Sequence, residues 1–102
     1  WAESNVGGFW GAELRKAGYD GLLILGKADE PVFIEIYNSD VKINDARHLW
    51  GLDTYQTQTV IRKEAGRSGF RVASIGIAGE KQIPYSLVLN DHGRVAGRTG
   101  MG

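Results

Sequence analysis

The stretch VFIEIYNSDVKIN, residues 32–44, carries the clearest structural signal in this chain of 102 residues. Val32, Ile34 and Ile36 alternate with other side chains, so they share one face of an extended strand. Residues 38–40, Asn-Ser-Asp, are of the types that form turns, and the alternation resumes after them. The stretch therefore predicts a β-hairpin with a three-residue turn.

Outward from the hairpin, the sequence predicts two helices and several short strands. The first helix covers residues 9–17 and ends before Gly18. The second begins with a capping box of Asp53 and Gln56, runs to residue 65 and stops at Gly66. The order α-β-β-β-α-β-β indicates an α+β fold with mixed, largely antiparallel β-sheets. The remaining predicted segments are strands at 22–25, 70–75 and 84–89, a short turn at 46–49 capped by Asp45, and a turn region at 76–82.

Composition excludes several classes of protein. The chain has 12 Lys and Arg against 12 Asp and Glu, so it lacks the positive charge of a general nucleic-acid binder. Because it has no Cys, it cannot by itself form a disulfide scaffold, a thiolate metal site or an iron–sulfur cluster. The longest apolar run, residues 22–25, is too short to cross a membrane. These properties predict one soluble globular unit without nucleic-acid or membrane partners.

The two ends of the chain suggest a larger parent. The chain begins at Trp1, its single methionine is Met101, and residues 100–102 lie within a glycine-rich run. We therefore expect residues 1–102 to be part of a domain of a longer protein, with no internal boundary.

Two glycine-rich turns, one near each end, are the segments most suited to binding chemistry. Residues 5–8, Asn-Val-Gly-Gly, precede a predicted helix, where glycine backbone and first-turn N–H groups can approach an anion. Residues 90–100, NDHGRVAGRTG, place Arg94 and Arg98 four positions apart, and guanidinium groups suit phosphate oxygens. Neither turn has a Walker A or dinucleotide-binding pattern, so each is also compatible with a purely structural turn.

The same segments resemble a known family. The resemblance covers the whole chain and corresponds to about the second half of the N-terminal domain of tungsten-dependent aldehyde:ferredoxin oxidoreductases. The segments that carry it are SNVGGFWGAEL (4–14), AGYDG (17–21), GKA (26–28), DARHLWG (45–51), DT (53–54), IGIAGE (75–80) and NDHGRVAGRTGMG (90–102).

The resemblance implies a site for a tungsten bis-pyranopterin cofactor, whose two pterins are linked through their phosphates by a magnesium ion. In that family the domain forms a base of two β-sheets under the cofactor. The backbone carbonyls of Asn5 and Val95 are the implied magnesium ligands, with Val95 standing where the family usually has alanine. The implied cofactor-binding residues are Asn5, Val6, Gly7, Gly8, Arg94, Val95, Ala96, Gly97 and Arg98.

For the parent protein, the resemblance implies oxidation of aldehydes to carboxylic acids. Electrons would pass through a 4Fe-4S cluster, bound outside this segment, to ferredoxin or an iron–sulfur electron-transfer subunit. A cytoplasmic location, contact with the remaining domains of the parent and a possible homo-oligomer are implied as well. The segment contributes no catalytic residue, so we expect it to be inactive alone.

Two alternatives remain open. The parent could be a related tungsten subunit that reduces an aryl thioester or a carboxylate. The segment could instead be a stand-alone, non-catalytic module that binds phosphate or nucleotide. His48 and His92 are interpreted as packing or surface residues rather than general bases. The aromatic side chains Trp1, Phe9 and Trp10 are interpreted as core rather than pocket.

Overall fold

The computed structural model describes all residues, 1–102. Its helices are α1 (Trp10–Lys16), α2 (Thr54–Ala65) and α3 (Ile77–Glu80), with a 3-10 turn at Arg47–Leu49. Its strands are β1 (Val32–Tyr37), β2 (Asp40–Asp45), β3 (Ala73–Ser74), β4 (Val88–Asn90) and β5 (Arg94–Ala96). They form two antiparallel sheets, one of β1 and β2 and one in the order β3-β4-β5. The predicted α+β class with antiparallel sheets is confirmed, with three α-helices instead of two.

The hairpin forms as predicted, but its turn is shorter. Tyr37 pairs directly with Asp40, so the turn has two residues, Asn38 and Ser39, and not three. Asn38 takes a positive φ of 52°, which asparagine tolerates because its short side chain can bond locally. This conformation closes the hairpin one residue earlier than the sequence pattern predicts.

Helix α2 follows its local signals closely. The Asp53 carboxylate accepts the N–H of Gln56 at 2.7 Å, and the Gln56 side chain accepts the N–H of Asp53 at 3.0 Å. Gly66 ends the helix in the left-handed region at φ 65°. The N–H of Arg67 then bonds to the carbonyl of Arg62 at 3.2 Å, closing the last turn. Both predicted ends of this helix are confirmed.

Asp45 bonds to the start of the 3-10 turn, but the prediction that it caps this turn is wrong, because Ala46 is the N-cap residue and no side chain caps the turn. Its carboxylate accepts the N–H of Arg47 at 2.8 Å and pairs with the guanidinium of the same residue. The hydrogen bonds from the Arg47 side chain lower the pKa of the Asp45 carboxyl. This contact is local and lies on the exposed surface.

The strand predicted at residues 22–25 is wrong. These residues form no strand and are exposed, with Leu23 at 86% and Leu25 at 82%. No other segment of the chain pairs with them, and an apolar run becomes a strand only where a neighbour satisfies its backbone. Leu22 and Ile24 border an open apolar cavity of about 800 Å³ that also contacts α1, β1 and residues 69–75.

The second sheet is shorter and lies further along the chain than predicted. Of residues 70–75 only Ala73 and Ser74 pair, and the strand predicted at 84–89 occupies 88–90. Residues 84–87 instead contact the end of the chain, where the N–H of Gly102 donates to the carbonyl of Ser86 at 3.1 Å. The predicted turn region at 76–82 contains the single helical turn α3, and β5 was not predicted.

The buried apolar core is small. It consists of Ala46, Leu49, Val72, Leu89 and Ala96, which join the second sheet to the segment before α2. No helix of the chain has the length and apolar character that crossing a membrane requires.

Candidate functional site

The two glycine-rich turns, 80 or more residues apart in sequence, lie against each other. The Oγ of Ser4 accepts the N–H of Arg98 at 3.1 Å. A side chain at Gly8 would collide with Asp91 and would stand 2.7 Å from Oδ1 of Asn90. With its amide oriented to satisfy its neighbours, Asn90 also donates to the carbonyl of Gly7 at 3.3 Å. The fold therefore joins the two predicted binding segments into one surface.

Asp91 connects this surface to the rest of the domain. It is only 5% exposed, and its Oδ2 accepts the N–H of Phe9, the residue before α1, at 2.7 Å. Its backbone carbonyl accepts a hydrogen bond from Nε2 of Gln58 in α2 at 2.6 Å. Its Oδ1 lies 3.6 Å from the Arg71 guanidinium, which also stands over the Phe9 ring at 4.7 Å. Asp91 thus links the two turns to each other through its carboxylate, and to α2 through its backbone carbonyl.

The bond between Asp91 and Phe9 removes one of the N–H groups that were expected to bind an anion at the first turn. The N–H of Phe9 is not free, because the Asp91 carboxylate occupies it. Helix α1 has only 7 residues, so its dipole is weak. The N–H of Phe9 is therefore not available to an anion at the first turn.

The predicted arginines are free to bind. Arg94 and Arg98 are exposed, and the guanidinium groups of both make no ion pair or hydrogen bond within the chain. The neighbouring Thr99 has φ 68°, a left-handed conformation that costs a β-branched residue about 1–3 kcal/mol. The surrounding structure therefore holds the backbone directly after Arg98 in a strained conformation.

The glycines of the two turns fall into two groups. Gly8, Gly93 and Gly100 have positive φ angles, which explains why they are glycine. Gly7 and Gly97 do not have positive φ angles. An added Cβ at Gly7 would meet nothing within 4 Å, and an added Cβ at Gly97 would meet only Val95, at 3.8 Å. Packing within the chain does not explain these two, which leaves open space for close approach of a ligand.

The two implied magnesium ligands lie on exposed backbone. Asn5 is exposed, and Val95 is 41% exposed in β5, an edge strand of its sheet. An edge strand leaves part of its backbone unpaired, and so able to bind other groups. Val6 is also exposed, whereas Ala96 is buried beneath the surface. The chain has no group of three or more His, Cys, Asp or Glu side chains that could hold a metal.

The histidines occupy positions without catalytic geometry. His48 pairs with Glu64 at 2.9 Å on the exposed surface, away from the turns. His92 is exposed in the turn between β4 and β5. Of the aromatic residues, Trp1 and Phe9 are exposed and Trp10 is half-buried, so the expectation of a core role is wrong for Trp1 and Phe9.

The sequence did not identify the side chains that hold the site together. Ser4, Gln58 and Arg71 lie outside the predicted turns and contact them. Asn90 and Asp91 lie within the second turn, but the resemblance does not imply a cofactor-binding role for either of them. Gln58 offered one signal, since a glutamine at an inward position of a helix needs a polar partner.

Comparison with known proteins identifies the family of this chain. The model of the aldehyde ferredoxin oxidoreductase N-terminal domain matches residues 1–102. The chain belongs to this family. The tungsten-containing aldehyde ferredoxin oxidoreductase of Pyrococcus furiosus is 46% identical over 97% of the chain, and that of Thermococcus kodakarensis is 43% identical. The match covers 16% of the length of each of these relatives.

Other members of the family carry different names. The aliphatic sulfonate oxidoreductase WOR-like subunit of Pyrococcus furiosus is 35% identical over 90% of the chain. The solved active site complex BamBC of benzoyl coenzyme A reductase, with 1,5-dienoyl-CoA, has a TM-score of 0.92 and 40% identity. It covers 95% of this chain, which corresponds to 15% of that chain. The aldehyde ferredoxin oxidoreductase N-terminal fold is therefore shared by relatives that act on different substrates.

Proposed function

We propose that this domain holds the phosphate end of a tungsten bis-pyranopterin cofactor. The observation that carries the proposal is the meeting of the two glycine turns, with unpaired arginines beside open glycine backbone. Arg94 and Arg98 supply planar donors that match phosphate oxygens, and Gly7 and Gly97 leave room for the ligand to reach the backbone. The tungsten-containing relatives support this choice of ligand.

The proposed magnesium site uses backbone oxygens. Magnesium prefers hard oxygen ligands and commonly shares them between phosphates, water and few protein groups. The protein ligands in this proposal are the backbone carbonyls of Asn5 and Val95, one in each of the two turns and both in exposed residues. A carbonyl ligand does not depend on the side chain, so valine in place of alanine at position 95 preserves it.

In the parent protein, we propose oxidation of aldehydes to carboxylic acids with ferredoxin as electron acceptor. The bound cofactor supplies the oxidation chemistry, and this domain binds and orients it. A 4Fe-4S cluster held by cysteines would belong to the rest of the parent, because this chain has no Cys. Contact with ferredoxin or an iron–sulfur subunit and a homo-oligomer are part of the same proposal. A cytoplasmic location is part of the same proposal.

A second function within the family is favoured by one observation. The benzoyl coenzyme A reductase complex is 40% identical to this chain, nearly as similar as the aldehyde enzymes. The parent could therefore reduce an aryl thioester, or another carboxyl derivative, in place of oxidising aldehydes. Assays of the intact parent with aldehydes and with aryl thioesters distinguish the two, since only the true substrate class should give turnover.

The alternative of a stand-alone module that binds phosphate or nucleotide is tested by titrating this chain with nucleotides. Such a module predicts saturable heat of binding.

Replacing Arg94 with alanine in the parent protein should lower cofactor occupancy. The substitution removes a charge-assisted contact worth about 1.5–3 kcal/mol. Tungsten per protein chain, measured by elemental analysis, is the readout. Arg15→Ala is the matched control, because Arg15 is also an exposed arginine but pairs only with Asp20, away from the turns. Full tungsten content in Arg94→Ala would contradict the proposal.

Replacing Gly7 with valine should reduce tungsten content without disturbing the fold. An added Cβ at Gly7 meets no neighbour within 4 Å, and the valine side chain would fill the space proposed for the cofactor. Gly21→Val is the control, because Gly21 is likewise exposed, without a neighbour within 4 Å and without a positive φ. Equal tungsten content in the two variants, each with an unchanged melting temperature, would argue against a ligand at Gly7.

A further inference from the structure

A polar cluster, buried except for the partly exposed Arg71, lies where the two glycine turns meet. It consists of Asp91, Gln58 and Arg71, from the turn after β4, from α2 and from the segment before β3. Gln58 is only 2% exposed, the most buried large side chain of the domain. Burying polar groups costs free energy unless they are bonded, so an apolar cluster would be the simpler way to fill this space. In this cluster Gln58 donates to Asp91 and Asp91 accepts from Phe9, while Oε1 of Gln58, Nε of Arg71 and Oδ1 of Asp91 have no hydrogen-bond partner. The bonds that are made hold Asp91 in one position against α2 and Phe9.

We propose that Asp91 is a positioning residue that fixes the first glycine turn against the second for cofactor binding. This inference rests on the proposed function. The Oδ2 of Asp91 holds the N–H of Phe9 at 2.7 Å, directly after Gly8. The Asp91 backbone is itself anchored to α2 by Gln58 at 2.6 Å. Removing the carboxylate therefore releases residues 5–8, while Gln58 still bonds to the backbone carbonyl at position 91. Asp91 also has φ 53°, a left-handed conformation that asparagine adopts more readily than alanine.

Asp91 acts through other residues rather than on the cofactor. It is 5% exposed, and a carboxylate beside phosphate would repel it. The nearby Arg71 at 3.6 Å offsets this charge, so the exposed cations Arg94 and Arg98 stay available to an anionic ligand. Residues of this kind orient the groups that bind the ligand, and they do not touch the ligand themselves.

The test compares Asp91→Ala, Asp91→Asn and Asp53→Ala in the parent protein. Asp53 is the matched control, because its carboxylate also accepts a backbone N–H at a helix N-terminus at 2.7 Å, away from the turns. Two readouts are tungsten retained per chain after dialysis, and hydrogen exchange of residues 4–10 in cofactor-free protein. We expect Asp91→Ala to retain about 10-fold less tungsten, the loss typical for an outer-shell partner, with faster exchange. Asp91→Asn keeps an acceptor for the N–H of Phe9, so it should recover most of the tungsten content and most of the slow exchange. Asp53→Ala should have the tungsten content and the exchange rates of the unmodified parent protein.

Three outcomes would overturn the inference. Asp91→Ala could retain tungsten like the parent, Asp53→Ala could lose as much, or Asp91→Asn could be as deficient as Asp91→Ala. The second outcome would indicate general destabilisation, and the third would assign the effect to charge rather than to the bond with Phe9. The Arg94→Ala variant distinguishes a failure of the positioning role of Asp91 from a failure of the proposed cofactor site. If it loses tungsten while Asp91→Ala does not, only the positioning role fails, and if neither loses tungsten, the cofactor site itself is wrong.

Discussion

Replacing Gly8 with alanine is expected to separate the two glycine turns. Gly8 has φ 96°, a region that L-residues avoid, and the new Cβ would collide with the carboxylate of Asp91. It would also lie 2.7 Å from Asn90 and 3.0 Å from Cγ of Arg94. Because Asp91 and Asn90 are buried, they cannot move aside without breaking their own contacts. Backbone strain and overpacking together should cost about 2–5 kcal/mol.

Hydrogen exchange in the parent protein measures this effect locally. Peptides that contain Phe9 and Arg98 should exchange much faster in Gly8→Ala, because their N–H groups bond across the two turns. Peptides from the β1–β2 hairpin should not change. Gly11→Ala is the control, since Gly11 lies in α1 with no neighbour within 4 Å. Unchanged exchange at Phe9 and Arg98 in Gly8→Ala would show that the turns are not in contact as described.

Replacing Gly100 with alanine should have a comparable effect at the end of the chain. Gly100 has φ 65°, and its new Cβ would collide with the backbone carbonyl of Pro84. A backbone atom cannot rotate away as a side chain can, so residues 99–102 must leave residues 84–87. With strain and overpacking again combined, we expect a loss of about 2–5 kcal/mol in the stability of this contact.

Exchange of the Gly102 amide reports on that contact, because it donates to Ser86 at 3.1 Å. Peptides covering 84–87 and 100–102 should both exchange faster in Gly100→Ala. Gly69→Ala is the control, since Gly69 has no positive φ and no neighbour within 4 Å. Equal exchange in the two variants would contradict the close packing of these segments. The result also separates roles within the second turn, because Gly100 is explained by packing and Gly97 is not.

Elements with local causes could be predicted, and elements that need distant partners could not. The capping box of Asp53 and Gln56 and the stop at Gly66 depend only on neighbouring residues, so α2 was predicted at both ends. The apolar run at 22–25 looked like a strand, but no strand of the chain pairs with it. Strand β5 was missed because residues 94–96 lack an alternating pattern and become a strand only through pairing with β4.

The sequence by itself determined the strands of the hairpin, both ends of α2 and the family, because each depends on nearby residues or on a motif. Only the tertiary structure decided that residues 5–8 and 90–98 form one surface. It also showed that the Asp91 carboxylate, not a ligand, occupies the N–H of Phe9. The physical reason is that both results depend on contacts between residues more than 80 positions apart, which no local pattern encodes.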